Sequence, residues 1–110
     1  MPRPQGFNQT PGDRNLVILG FLKKRGQLWS NLNQIATGVV GSGLNRQRTR
    51  EILDDFVKLT LVETRESQDP QSRYEFRITP KGLAKYRTLV NFINDPETKF
   101  ILGFRQQEYE

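Results

Sequence analysis

The sequence predicts a small, mostly helical α+β domain: a three-helix core, a β-hairpin, and a C-terminal helix or helices. Three observations lead there. Thr49, Ile52, Leu53 and Phe56 follow the i, i+3, i+4, i+7 spacing of one helix face. Leu61–Arg65 and Tyr74–Ile78 alternate apolar and polar around a polar loop containing Asp69-Pro70, the pattern of a hairpin. Thr79-Pro80 supplies a strong helix start, with Thr79 as cap and Pro80 at the first helical position. A chain of 110 residues has room for one modest core.

The elements follow in order. Residues 1–12 hold three prolines and two glycines among polar residues and read as a flexible leader. Asp13 is the expected cap of a first helix carrying Leu16, Val17, Ile18, Leu19, Phe21 and Leu22. Gly26 stops it, with Lys23, Lys24 and Arg25 in the last turn where cations suit the helix dipole. Gln27–Trp29 fits a short strand. Ser30 is the expected cap of a second, short helix with Leu32, Ile35 and Ala36 on one side, ending at Thr37-Gly38. Val39–Gly43 reads as a turn. Asn45 caps the third helix, which ends near Leu59. After the hairpin, Leu83, Tyr86, Val90 and Ile93 form the stripe of a fourth helix. Asn94-Asp95-Pro96 breaks it and starts a last apolar segment with Phe100, Ile101, Leu102 and Phe104. The expected organisation is a leader at 1–12, one domain at 13–94 and a C-terminal helical segment at 95–110. A short helix turning tightly into a longer one is the helix-turn-helix arrangement, and the hairpin after it makes a winged helix-turn-helix.

Composition narrows the function classes. The chain has no cysteine and no histidine, so disulfides, the usual zinc sites and histidine acid–base chemistry are excluded. No apolar run approaches the roughly 20 residues that span a bilayer, and Arg3 is followed by no signal-like apolar segment. No membrane association and no cofactor are expected. Asp54 and Asp55 are adjacent on a helix, about 100° apart, and do not pair as acid and base, so no catalytic residue and no enzyme is expected. The net charge is +5, and residues 1–60 carry all of it, with nine basic residues against four acidic. A localised basic excess suits a polyanionic partner, although solubility alone also accounts for it.

Two segments carry a resemblance. Leu44–Glu63, "LNRQRTREILDDFVKLTLVE", resembles the recognition helix and first wing strand of small prokaryotic and archaeal transcription regulators of the MarR-like and PadR-like types. Arg73–Tyr86, "RYEFRITPKGLAKY", resembles their second wing strand, with Tyr74, Thr79, Lys81 and Gly82 in the familiar positions. Thr60 stands where the family often has glycine. The resemblance, over residues 15–93, implies a cytoplasmic, nucleoid-associated regulator that binds double-stranded DNA and pairs as a homodimer through its terminal helices.

Candidate contacts follow from chemistry. An α-helix fits the major groove, and arginine's planar fork meets guanine or phosphate, while Asn and Gln pair with adenine. Gln47 and Arg50 are expected on bases, and Arg46 and Arg48 on bases and backbone. Asn45 is either a cap or a contact. A solvated helix face, diluted by Glu51 and Asp54, is the plainer alternative. Arg65, Arg73 and Arg77 of the hairpin are candidates for the DNA backbone or minor groove, and Lys81 beside the fourth helix is either a phosphate contact or a solvated lysine. Trp29 is expected in the core. Gly41–Gly43 is expected to be only a turn, and Lys23-Lys24-Arg25 only a helix end. Two further functions compete: a winged-helix module that binds protein, and RNA or single-stranded DNA binding, which wants exposed aromatics that the apolar stripes do not leave. The apolar residues Leu89, Phe92, Ile93, Phe100, Ile101, Leu102 and Phe104 exceed what one small core absorbs and are expected to form the homodimer surface; the competing expectation is that the tail reverses at Asp95-Pro96 and caps the first helix within one chain.

Overall fold

The computed structural model describes residues 11–39, 44–70 and 72–102. Eight elements run in the order α1 (Pro11–Arg25), β1 (Ser30–Asn31), α2 (Leu32–Gly38), α3 (Arg46–Lys58), β2 (Val62–Glu66), β3 (Tyr74–Ile78), α4 (Pro80–Asn94) and α5 (Pro96–Leu102). Most of the leader, and Val40–Gly43 with its glycine turn, lie outside the described residues.

α1 begins at Pro11, so Pro11 and Gly12 belong to the helix and Asp13 is not its cap. Proline's fixed φ suits a first turn, where its missing N–H costs nothing. The helix closes on Gly26, whose φ of +60° lets its N–H reach back to the Leu22 carbonyl at 3.0 Å. The strand expected at Gln27–Trp29 lies one step later. Ser30 and Asn31 pair with Phe76 and Glu75 of β3. That displaces the expected cap too. Ser30 is fully buried in the ladder, and Asn31 caps α2 instead. Asn31 accepts from the Gln34 N–H at 2.8 Å while the Gln34 side chain accepts from the Asn31 N–H at 2.9 Å, a reciprocal box that satisfies two otherwise unpaired donors.

α3 forms as its spacing predicts. Asn45 accepts from the Arg48 N–H at 2.7 Å, and Thr49, Ile52, Leu53 and Phe56 are buried. The buried Thr49 hydroxyl is satisfied by the Asn45 carbonyl at 2.8 Å. The sheet is antiparallel in the order β1-β3-β2, with Val62 opposite Ile78, Glu63 opposite Arg77, and Arg65 opposite Glu75. Because strand side chains alternate, Val62, Phe76 and Ile78 enter the core while Glu63, Arg65, Glu75 and Arg77 share the other face. Thr79 caps α4 as expected, with Pro80 in its first turn.

One core joins Leu16, Ile18, Leu19 and Leu22 of α1 with Ile35, the α3 stripe, the inner sheet face, and Tyr86, Val90 and Ile93 of α4. Ile93 is therefore spent on this core and not on an outer surface. Val39 lies in a turn after α2, as expected, and is buried there. α5 packs on α4. Asp95 accepts from the Thr98 N–H at 2.9 Å and from the Thr98 hydroxyl at 3.0 Å, and these bonds hold its carboxyl below the usual range. No helix among the described residues is long and apolar enough to cross a membrane.

Candidate nucleic-acid interface

The buried stripe of α3 fixes what its other face presents. Asn45, Arg46, Gln47, Arg48 and Arg50 are all exposed, within the first two turns, at the end where the helix dipole is positive. Asn45 spends its side-chain oxygen as the cap. Arg46 donates through Nη1 to Oδ1 of Asn33, which ties α3 to α2 without neutralising the guanidinium. Arg48 lies 3.1 Å from Glu51, and Arg50 lies 3.6 Å from Asp54, with side chains about half exposed in every case. Exposed pairs of this kind are worth about 0–1 kcal/mol, so a stronger anion displaces the carboxylate.

The hairpin cations are held differently. Arg65 Nε donates to Glu75 at 2.9 Å, and Arg77 Nε donates to Glu63 at 2.6 Å, each across the strand pair. Both guanidiniums also stack on Trp29, 4.2 and 4.3 Å from the ring centroid. Trp29 is thus not a core residue. It is half-buried, the platform on which the outer face of the sheet rests. Arg25 anchors the same corner, donating to the Ser30 hydroxyl at 2.8 Å and the Trp29 carbonyl at 3.3 Å. Arg73 sits apart from this cluster. It and Arg50 of α3 approach the one Tyr74 ring, at 5.9 and 5.8 Å, which brings the loop end of β3 beside the basic face of α3.

Lys81 has a structural task. Its ammonium donates to the Leu59 carbonyl at 2.9 Å and the Thr60 hydroxyl at 3.1 Å, closing the C-terminus of α3. Thr79 donates to the Thr60 carbonyl at 2.7 Å and accepts from the Gly82 N–H at 2.9 Å. At Gly82 a Cβ would stand 2.0 Å from the Leu61 carbonyl oxygen, so only glycine allows this approach. The run Thr79-Pro80-Lys81-Gly82 is a clasp between α3 and α4. Thr60 pays for the turn with a left-handed φ of 61°, where a glycine would be unstrained.

Of the expected contacts, the structure exposes Asn45, Arg46, Gln47, Arg48 and Arg50 together at the start of α3 and brings Arg73 to Arg46 and Arg50 alone. It places Arg65 and Arg77 on the outer sheet face and Lys81 in the clasp. The residues missed were Trp29 and Tyr74 as arginine platforms. The signal available for them was the charge alternation in "VETRE" and "YEFRI", which a hairpin register turns into opposed pairs. Among the described residues no group of acidic side chains is arranged to hold a metal ion.

By sequence, no family model and no curated protein matches this chain. Its shape is matched. A MepR variant from S. aureus, solved bound to an oligodeoxyribonucleotide, superposes with a TM-score of 0.61 at 16% identity, over 86% of this chain and 66% of that one. The PcaV transcriptional regulator from Streptomyces coelicolor, solved with its natural ligand, gives 0.61 at 21% identity, over 90% and 66%. A MarR family transcriptional regulator from Silicibacter pomeroyi gives 0.58 at 20% identity, over 84% and 59%. The fold is a winged helix-turn-helix. In this winged helix α2 and α3 are the helix-turn-helix pair, and β2–β3 is the wing. The chain spans about two thirds of the MepR and PcaV chains or less of the third.

Proposed function

We propose that this winged helix binds double-stranded DNA as a transcription regulator, with α3 in the major groove and the loop end of the wing on the backbone. One observation carries the reading: the first two turns of α3 expose Gln47 and Arg50 away from the buried stripe, with Arg46 and Arg48 exposed on its flanks. Gln47 and Arg50 read bases, Arg46 and Arg48 are shared between bases and backbone, and Arg73 meets a phosphate. Arg65, Arg77 and Lys81 serve the fold. The DNA-bound MepR neighbour supports this, as does the basic excess of the first 60 residues. The place of action is then the cytoplasm, at the nucleoid.

Fluorescence anisotropy with a random-sequence duplex at low salt tests it. With about four to six phosphates neutralised, log K falls against log salt by about 0.9 per contact. No binding, or affinity indifferent to salt, ends the proposal and leaves protein recognition as the use of this fold.

The reading extends to a homodimer through α4 and α5. Phe92, Phe100 and Ile101 are 55, 83 and 75% exposed, and Leu89 is 36% exposed beside them. Large apolar side chains so exposed usually mark an interface. Phe104 lies outside the described residues. Two-fold pairing would set two α3 helices about one turn of DNA apart, near 34 Å, and favour a palindromic site. Light scattering on the full chain and on a chain ending at Asn94 decides. A monomer in both cases refutes the dimer, and a dimer lost on truncation supports it.

A further inference from the structure

Between α3 and the start of β3 lies a cleft of about 170 Å³ lined by Arg46, Arg50 and Arg73, with buried Ser72 and the Tyr74 ring in its wall. Among the described residues no carboxylate lines it. Arg46 and Arg50 are one turn apart on α3 and so share a face, and Arg73 comes from the opposite wall. Arg46 is pinned by a neutral amide, and the Tyr74 ring holds Arg50 and Arg73 near one another. The remaining charges nearby are Asp54, one turn further along α3 at 3.6 Å from Arg50, and Glu66 and Asp69, which line a hollow on the loop side of Arg73.

Three guanidiniums facing one small space repel one another, and the hairpin shows how this chain treats arginines that serve only structure. Arg65 and Arg77 each receive a cross-strand glutamate. Among the described residues no ion pair engages Arg46 or Arg73. Beyond the bond from Arg46 to Asn33 and the contact of Arg73 with the Tyr74 ring, their convergence suits an incoming anion, because a guanidinium presents its donors in a planar fork matched to two oxygens at once.

We propose that Arg46, Arg50 and Arg73 form a seat for one tetrahedral oxyanion, a phosphate group, clamped between α3 and the wing. A free phosphate fills it when no nucleic acid is present; in the complex a backbone phosphate stays on Arg46 and Arg73 while Arg50 turns its fork to a base edge. The second half rests on the DNA reading above, while the first does not. The consequence is that free phosphate opposes DNA binding beyond its ionic strength.

The test titrates the full chain with inorganic phosphate, and with sodium chloride at matched ionic strength, while the arginine Nε–H signals are followed by NMR. Saturating shifts confined to Arg46, Arg50 and Arg73 are expected with phosphate only. Arg73→Ala should weaken the phosphate affinity about tenfold or more. Arg73→Lys keeps the charge and loses the fork, and should recover only part of it. Lys85→Ala, on the exposed surface of α4, should change nothing. Shifts that match those from chloride, or an Arg73→Lys protein equal to the parent, overturn the seat. Anisotropy with a bound duplex then separates the sources. Displacement by phosphate beyond matched chloride supports occupancy by the DNA backbone. A saturable seat without such displacement removes the duplex as its occupant. A saturable seat in a protein that binds no duplex removes the DNA reading and leaves the free anion.

Discussion

The exposed face of α3 and the outer face of the hairpin carry the same residue types to opposite ends. On α3 each arginine has a neutral amide or a carboxylate of its own helix, at the surface and weakly held. On the outer face of the hairpin Arg65 and Arg77 each have a glutamate on the neighbouring strand and a tryptophan ring beneath. A helix face fans its side chains out, whereas an antiparallel pair sets them opposite one another at contact distance. Counting cations therefore overstates a binding footprint wherever a strand pair has supplied the counter-charge.

That contrast breaks first if α3 is rotated from its observed register. Phe56 is 7% exposed, and Phe56→Ala should cost about 3–5 kcal/mol in denaturant unfolding. An unchanged midpoint would turn Arg50 toward the core and remove its claim on any ligand. The clasp that joins α3 to α4 comes next. Gly82→Ala drives a methyl into the Leu61 carbonyl and should destabilise by about 1–3 kcal/mol, toward the upper end because backbone yields less than a side chain. A neutral result would show the clasp to be loose.

The sharpest comparison sets one arginine from each face side by side. Arg50→Ala should lose about 1–3 kcal/mol of DNA binding and relax base preference. Arg77→Ala should leave binding within about 0.5 kcal/mol and lower stability slightly, since its ion pair and ring contact are each worth about 1 kcal/mol or less at the surface. Equal losses of affinity would erase the distinction between the two faces. The smallest effect is expected at Thr60. Thr60→Gly relieves a left-handed φ and should raise stability by up to about 1 kcal/mol, offset by the lost hydrogen bond from Lys81. A fall in melting temperature would mean that the hydroxyl outweighs the strain.

The sequence made the long-range order of elements readable because its signals were local. The stripe from Thr49 to Phe56, the cap at Asn45 and the Thr79-Pro80 start each act within one or two turns. The cap of α2 was also readable, since Asn31 has Gln34 three residues on, but Ser30 is equally a capping type and only its burial in the ladder excludes it. Trp29 was not readable. Its partners Arg65 and Arg77 are brought to it by the pairing of β1 with β3, and a two-residue strand leaves no alternation to detect. The site divides the same way. The exposure of the α3 arginines was readable from the helix face alone, whereas the structural tasks of Arg65, Arg77 and Lys81 depend on contacts 10 to 48 residues away along the chain.

Trp29 has one more consequence. It is the sole tryptophan of the chain, and its indole is covered by two cations from two different strands. Its emission therefore reads one event: whether the sheet is closed over that corner. Excitation of the indole follows the hairpin swinging away from β1, while circular dichroism follows the helices. Superimposable melting curves would show the sheet and helices coming apart together. An earlier change in emission would show the wing opening as a unit while the helical body still stands. The molecule carries its own optical gauge of wing attachment, with no label added.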